Sequence, residues 1–206
     1  MKTILKSLTA AMLLAASVSS AQAAVIQLGS FSKSYGTSGS AASSDGAGTC
    51  DVRSSTSINV REASSCQRFY DTFDFSSLSY QSLDHLKLTL TFGNTNNTFE
   101  NWNVRFAQSP TVAVGPSKLI PMTKTGNAQA TQEFIFDAAL GGTVFDTVAT
   151  NEKLVLWFAE QGLGAHNFNL YSAKLDVYGT AVPEPTSIAL FGLALGALGV
   201  ARRRKR

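Results

Sequence analysis

The 206-residue sequence predicts an all-β fold: an antiparallel β-sandwich, jelly-roll-like, flanked by an N-terminal signal helix and a C-terminal transmembrane helix. Three observations predict it. Apolar and polar residues alternate at period two through the middle of the chain, the mark of strands with one buried face. Polar, glycine-containing segments of turn composition separate these runs. An apolar stretch beside basic residues lies at each end.

The first element is the leader. Lys2 and Lys6 precede an apolar stretch from Leu8 to Val18, and Ala21-Gln22-Ala23 follows. Small side chains at −3 and −1 are what a signal peptidase accepts, so residues 1–23 are expected to be removed and the mature chain to begin at Ala24. The domain division is then 1–23 signal peptide, 24–182 β-sandwich ectodomain, and 183–206 sorting and anchor segment. Within the ectodomain, residues 29–48 (GSFSKSYGTSGSAASSDGAG) are low in complexity and are expected to form a flexible arm or long loop.

The strands follow in order. SINV is a short candidate, and FYDTFDF places Phe69, Phe73 and Phe75 on one face. SSLSYQSLDH has room for one helical turn. Leu86, Leu88, Leu90 and Phe92 alternate with Lys87, Thr89 and Thr91; Trp102, Val104 and Phe106 alternate with Asn103, Arg105 and Ala107. QEFIFD and KLVLWFAE read as more deeply buried, and FNLYSAKLDVYG makes a long final strand. GNTNNT, GPSK, KTGNAQ and EQGLG supply turns. About eight strands without a convincing amphipathic helix describe a sandwich.

Cys50 and Cys66 flank fifteen residues and are the only cysteines. An even count in an exported chain points to a disulfide, with a loop-closure contribution of about 3 kcal/mol. Two cysteines without a matching His/Cys cluster make a poor zinc site, so no metal or other cofactor is expected. The formal charge of +3 belongs to the ends. They hold seven of the seventeen basic residues and one of the fourteen acidic ones, which leaves ten against thirteen, a net −3, between them. That balance gives no support to a nucleic-acid partner.

Catalysis is not expected. His85, beside Asp84, reads as a turn residue, and His166 lies in a glycine-containing loop; no GxSxG, HExxH or phosphate-loop motif surrounds either. Asp71 and Asp74 fall on opposite faces of a regular strand and cannot share one ion. Asp45 and Asp51 bracket Cys50, where calcium could join loop carbonyls, against the plainer reading of solvated carboxylates. The sequon Asn96-Asn97-Thr98 has little weight if the host is a bacterium. Carbohydrate recognition has the better physical basis, since sugars pack C–H faces on rings and need amides for their hydroxyls. NTNNTFENWN offers five asparagines with Phe99 and Trp102, and HNFNLY adds two with Phe168 and Tyr171. The competing reading, favoured by the alternation, puts Trp102 and Phe168 in the core.

The last element is the tail, VPEPTSIALFGLALGALGVARRRKR. Val182 and Glu184 each precede a proline, so Val182-Pro183-Glu184-Pro185 should be an extended segment that a processing cleft can grip. Ile188–Ala201 holds only apolar residues and glycine. As a helix it reaches ~21 Å against a hydrocarbon core of ~30 Å, a gap closed by Thr186, Ser187, bilayer thinning and arginine snorkelling. Arg202, Arg203, Arg204, Lys205 and Arg206 would stay on the cytoplasmic side, which places the ectodomain outside. Gly192 and Gly196 form a GxxxG, weak evidence for helix pairing.

Proline–glutamate–proline, an apolar Gly/Ala/Leu stretch and a terminal basic cluster, in that order, resemble the PEP-CTERM sorting signal. The resemblance covers about the last 25 residues. It implies an exported protein of a Gram-negative bacterium, anchored in the inner membrane facing the periplasm and cut near the motif by an exosortase-type processing enzyme. Such a protein is then passed towards the cell surface or extracellular space. It says nothing of the ectodomain, which is expected to be structural or associated with exopolysaccharide. The alternatives are a lectin-like carbohydrate-binding module and, less favoured, a secreted hydrolase.

Overall fold

The computed structural model describes residues 24–37, 50–62, 68–95, 100–115, 118–162, 166–182, 191–192 and 195–196. Among them, ten strands and two short helices follow in the order β1 (Ile26–Ser34), β2 (Val52–Arg53), β3 (Ile58–Glu62), β4 (Tyr70–Asp74), β5 (Tyr80–Gly93), β6 (Trp102–Ala107), β7 (Ile120–Pro121), β8 (Gln129–Asp137), α1 (Ala138–Gly141), α2 (Thr143–Asn151), β9 (Lys153–Glu160) and β10 (His166–Ala181). The expected signal helix lies outside the described residues. So does most of the expected transmembrane helix, of which Phe191, Gly192, Leu195 and Gly196 are helical and exposed. No helix among the described residues is long and apolar enough to cross a membrane.

The strands form two antiparallel sheets. The larger has the order β2-β3-β10-β5-β8, and the smaller β4-β9-β6-β7. The pairs β3·β10, β4·β9, β5·β8 and β6·β7 nest like the two arms of one long hairpin rolled up, as in a jelly roll. β10 is the spine. β5 runs along one side of it, while the other side is shared by β3, opposite His166–Leu170, and β1, opposite Ser172–Gly179.

Period-two alternation places the core between the sheets. Leu86, Leu88, Leu90 and Phe92 of β5 and Leu170, Leu175 and Val177 of β10 face Val104, Phe106, Leu154, Leu156 and Phe158 of the smaller sheet, all buried. Phe168 sits at an aromatic junction, 4.7 Å from Trp102, 4.8 Å from Phe158 and 6.4 Å from Phe92. Each such side chain contributes about 1.5–3 kcal/mol by leaving water. Trp102 meets its polar requirement inside, donating its indole N–H to Glu100.

One polar network lies within this apolar interior. Asp71 stands on the buried face of β4 with Phe73, and its carboxylate accepts from Lys33 Nζ at 2.5 Å, Tyr35 Oη at 2.7 Å and the Thr72 N–H at 2.7 Å. Lys33 also donates to the Thr72 carbonyl and lies 5.0 Å from the Phe73 ring centroid. Burial first, then the Asp71 charge and its hydrogen bond, push the Tyr35 hydroxyl well above its ordinary value. The network ties β1 of the larger sheet to β4 of the smaller.

Several expectations change. The arm expected at 29–48 begins as ordered structure: Gly29–Ser34 belongs to β1, and Tyr35 is 2% exposed. Phe31, Lys33 and Tyr35 alternate there, and composition hid the pattern. Gly36 turns the chain away at φ 101°, where an added Cβ would come within 2.7 Å of the Ser57 nitrogen. The suggested helical turn in SSLSYQSLDH is a short turn at Ser76–Ser77 followed by β5, which already contains His85. Helix α2 had gone unexpected; it buries Val144, Phe145 and Val148, and Phe145 meets Phe136 at 5.3 Å.

Cys50 is disulfide-bonded, and its expected partner Cys66 lies outside the described residues. Replacing both cysteines by serine should lower unfolding stability by about 3 kcal/mol in urea. Alkylation without reduction should leave the intact mass unchanged and alkylation after reduction should add two alkyl groups; mass gained without reduction, or an unchanged midpoint, would remove the bridge from the account.

Candidate functional site

The chain leaves the sandwich where the tail begins. β10 ends at Ala181, and Val182 is 50% exposed. Pro183, Glu184, Pro185 and Arg202 to Arg206 lie outside the described residues, as do Ala21 and Ala23. Ala24 is exposed, two residues before β1. Ile26 lies opposite Gly179 across the β1·β10 pair. The two ends expected after processing therefore emerge side by side, at one end of the fold. At ~3.3 Å per residue the 16-residue β10 spans ~50 Å, so its other terminus is far from that end.

The carbohydrate lead from the sequence divides. Trp102 and Phe168 are 2% and 0% exposed and belong to the core. Phe99 and Asn96 to Thr98 lie outside the described residues. Asn167 and Asn169 do reach the outer face of the larger sheet. There Asn59 Nδ2 donates to both side-chain oxygens at 3.0 and 2.9 Å, Asn94 Nδ2 reaches Asn167 at 3.4 Å, and Arg61 Nε donates to Asn59 at 2.8 Å. These amides satisfy one another across β3, β10 and β5. They form a ladder that stabilises pairing, with few polar groups left for a ligand.

The other candidates are placed as follows. His85 lies in β5, stacked on Tyr178 at 4.4 Å, with Asp84 Oδ2 2.6 Å from its Nδ1. It borders an open hollow of about 410 Å³ lined by Ile135, Asp137, Ala138 and Ala139. His166 opens β10 opposite Glu62, whose carboxylate accepts from Arg68 and from the Glu160 N–H. The histidines thus sit apart, not in one constellation. Asp71 points inward and Asp74 outward, as the period requires. Hydrogen bonds from Ser76, with Lys153 beside it, hold the Asp74 carboxyl at about 2. Asp45 lies outside the described residues. Among those described, no group of three or more His, Cys, Asp or Glu could hold a metal ion.

A built arrangement that the sequence did not single out lies on the outer face of the smaller sheet. Tyr70 of β4, Trp157 of β9 and Arg105 of β6 are direct cross-strand partners in one row. Arg68, two residues before Tyr70, joins them. Its guanidinium carbon is 5.5 Å from the Trp157 ring centroid, and that of Arg105 is 5.4 Å away. Small side chains Ala107, Ala113 and Val155 surround the indole. The loop after β6 folds back here, Val114 N–H bonding to the Phe106 carbonyl and Arg105 Nε to the Val114 carbonyl at 2.8 Å. Burial, then the charge of Arg68, pushes the Arg105 guanidinium below its ordinary value. Trp157 is 8% exposed, and its indole N–H is buried without a hydrogen-bond partner. The alternation had marked Arg105 as facing water. What the sequence lacked was the register that sets it against Trp157.

An antiparallel two-sheet sandwich that delivers a tail directly from its last strand is the class of protein the geometry defines. That tail, residues 181–205, matches the family model of the PEP-CTERM protein-sorting motif. The motif implies export and sorting to the envelope, and it covers only the tail. No curated protein matches the chain. Among solved structures, the chain is similar to the CBM22-1 xylan-binding domain of Paenibacillus barcinonensis Xyn10C, with 8% identity, a TM-score of 0.44, and coverage of 78% of this chain and all of that one. It is also similar to the glycoside hydrolase domain of Spr0440, Endo-D, from Streptococcus pneumoniae R6, with 12% identity, a TM-score of 0.34, and coverage of 71% of this chain and 21% of that one. Both likenesses are too distant to assign a ligand or a reaction.

Proposed function

We infer that this is an exported, non-enzymatic envelope or extracellular-matrix protein. It is held at the inner membrane by its tail, cut near Pro183-Glu184-Pro185 by an exosortase-type enzyme, and its sandwich then associates with polysaccharide. The observation that carries this reading is the junction: the sorting motif begins directly after the central strand ends. Only Val182 to Ser187 separate Ala181 from the apolar run, so six extended residues span at most ~20 Å between fold and membrane. A proline-rich stretch of that length offers the processing enzyme an extended backbone while the domain stays folded. Association with polysaccharide is supported by the Arg68–Tyr70–Arg105–Trp157 shelf, which combines hydrogen-bond donors with aromatic surface.

Two experiments test the reading. Co-sedimentation of the processed protein with its host's exopolysaccharide should show saturable retention. Absence of retention together with concentration-dependent self-assembly would favour a purely structural matrix role. Replacing Arg202 to Arg206 by Ser and Gln should lower the membrane-bound fraction or invert the tail, measured by protease accessibility of intact spheroplasts. Unchanged retention and orientation would separate the basic cluster from anchoring.

A further inference from the structure

The outer face of the smaller sheet carries two arginines against one aromatic ring. Arg68 and Arg105 bring two guanidinium groups to one indole although like charges repel, and Arg105 makes a single protein hydrogen bond among the described residues, through Nε. Arg68 shares the Glu62 carboxylate at 3.1 Å but remains 43% exposed. The rows flanking Tyr70–Trp157–Arg105 carry Thr72, Val155 and Ala107 on one side and Ala159 and Asn103 on the other. No outward carboxylate lies in those rows to neutralise Arg105. The Trp157 N–H is buried without a hydrogen-bond partner among the described residues. Two guanidinium groups, one paired with the Glu62 carboxylate and the other bonded to the Val114 carbonyl only through Nε, make a locally basic site on a domain whose net charge is −3. Half-buried Tyr70 lies in the same row and gives a pyranose C–H face a ring to pack on.

We propose that this shelf binds the carboxylate of a uronic-acid unit within an acidic polysaccharide, the carboxylate held by Arg68 and Arg105 and the sugar ring lying towards Tyr70. The proposal rests on the polysaccharide reading above and names the chemical class that reading leaves open. A planar carboxylate matches the guanidinium fork, and its charge offsets the repulsion between the two arginines. Neutral sugars lack that match.

The test measures binding of the full chain, purified in detergent, to polygalacturonate, alginate and hyaluronate, with dextran and xylan as neutral polymers and the host exopolysaccharide alongside. Saturable binding to at least one uronate polymer is expected, weakening as salt rises, with the neutral polymers silent. Arg105→Gln and Arg68→Gln should each weaken it about tenfold, the scale of losing one charge-assisted hydrogen bond. Arg105→Lys keeps the charge and loses the fork, so a partial loss in that variant guards against a fold defect in the glutamine one. Equal binding of neutral and uronate polymers, or binding indifferent to all three substitutions, would overturn the uronate site and leave the polysaccharide reading in place. No binding to any polymer, the host's included, would overturn both.

Discussion

Replacing Pro183, Glu184 and Pro185 together by alanine should abolish processing and leave export intact. The expected signal segment, residues 1–23, is untouched, so the variant should accumulate in the membrane fraction with its tail attached. The expected effect is near total because the segment contributes both shape and charge. A proline disfavours helical backbone at the residue before it, and alanine removes that restraint while adding helix propensity next to an apolar run. The tail helix could then extend back towards Ala181 and withdraw the backbone from a processing cleft. Immunoblotting of membrane and shed fractions reads the outcome. Trimming as efficient as in the wild type would mean that the motif is not what the enzyme recognises.

The second large effect is on stability. Asp71→Ala should destabilise the sandwich by about 3 kcal/mol, because it takes the carboxylate from half-buried Lys33 and leaves the buried Tyr35 hydroxyl without its acceptor. Total stabilities of domains are about 5–15 kcal/mol, so the variant stands to lose a large share of its folded population. The urea midpoint of the wild type and variant supplies the number. A triple change, Lys33→Met, Tyr35→Phe and Asp71→Leu, distinguishes a pairing effect from a packing one. If the charges stabilise only because they are mutually satisfied, the triple variant recovers most of the loss. An Asp71→Ala midpoint within experimental error of the wild type would deny the network any structural role.

These two predictions also mark what could be read from the sequence. The sorting motif of the tail was legible because its signal is linear: proline spacing, an apolar run and a basic cluster, each in order. The strands of the larger sheet were legible where alternation was clean, as in Leu86 to Phe92, and so was the opposed placement of Asp71 and Asp74. β1 was obscured by its three serines and Gly29, though Phe31, Lys33 and Tyr35 keep the period of two. Helix α2 was missed because its apolar face is only Val144, Phe145 and Val148. The Lys33–Asp71 pair and the Arg68–Trp157–Arg105 shelf were beyond local reading. Their partners lie tens of residues apart, and only the register of β4, β9 and β6 brings Tyr70, Trp157 and Arg105 into one row. The placement of Asn167 and Asn169 was hidden for the same reason. Their composition suits sugar binding, but the register of β3 against β10 turns their amides towards one another.

The most direct measurement of the central claim is the intact mass of the protein recovered from its native host, in both cell-bound and shed fractions. The account predicts a shed species that starts at Ala24 and ends between Val182 and Pro185, with any excess mass marking an attached group. A single species in both fractions running through Arg206 would contradict it, and the tail would then be a permanent anchor.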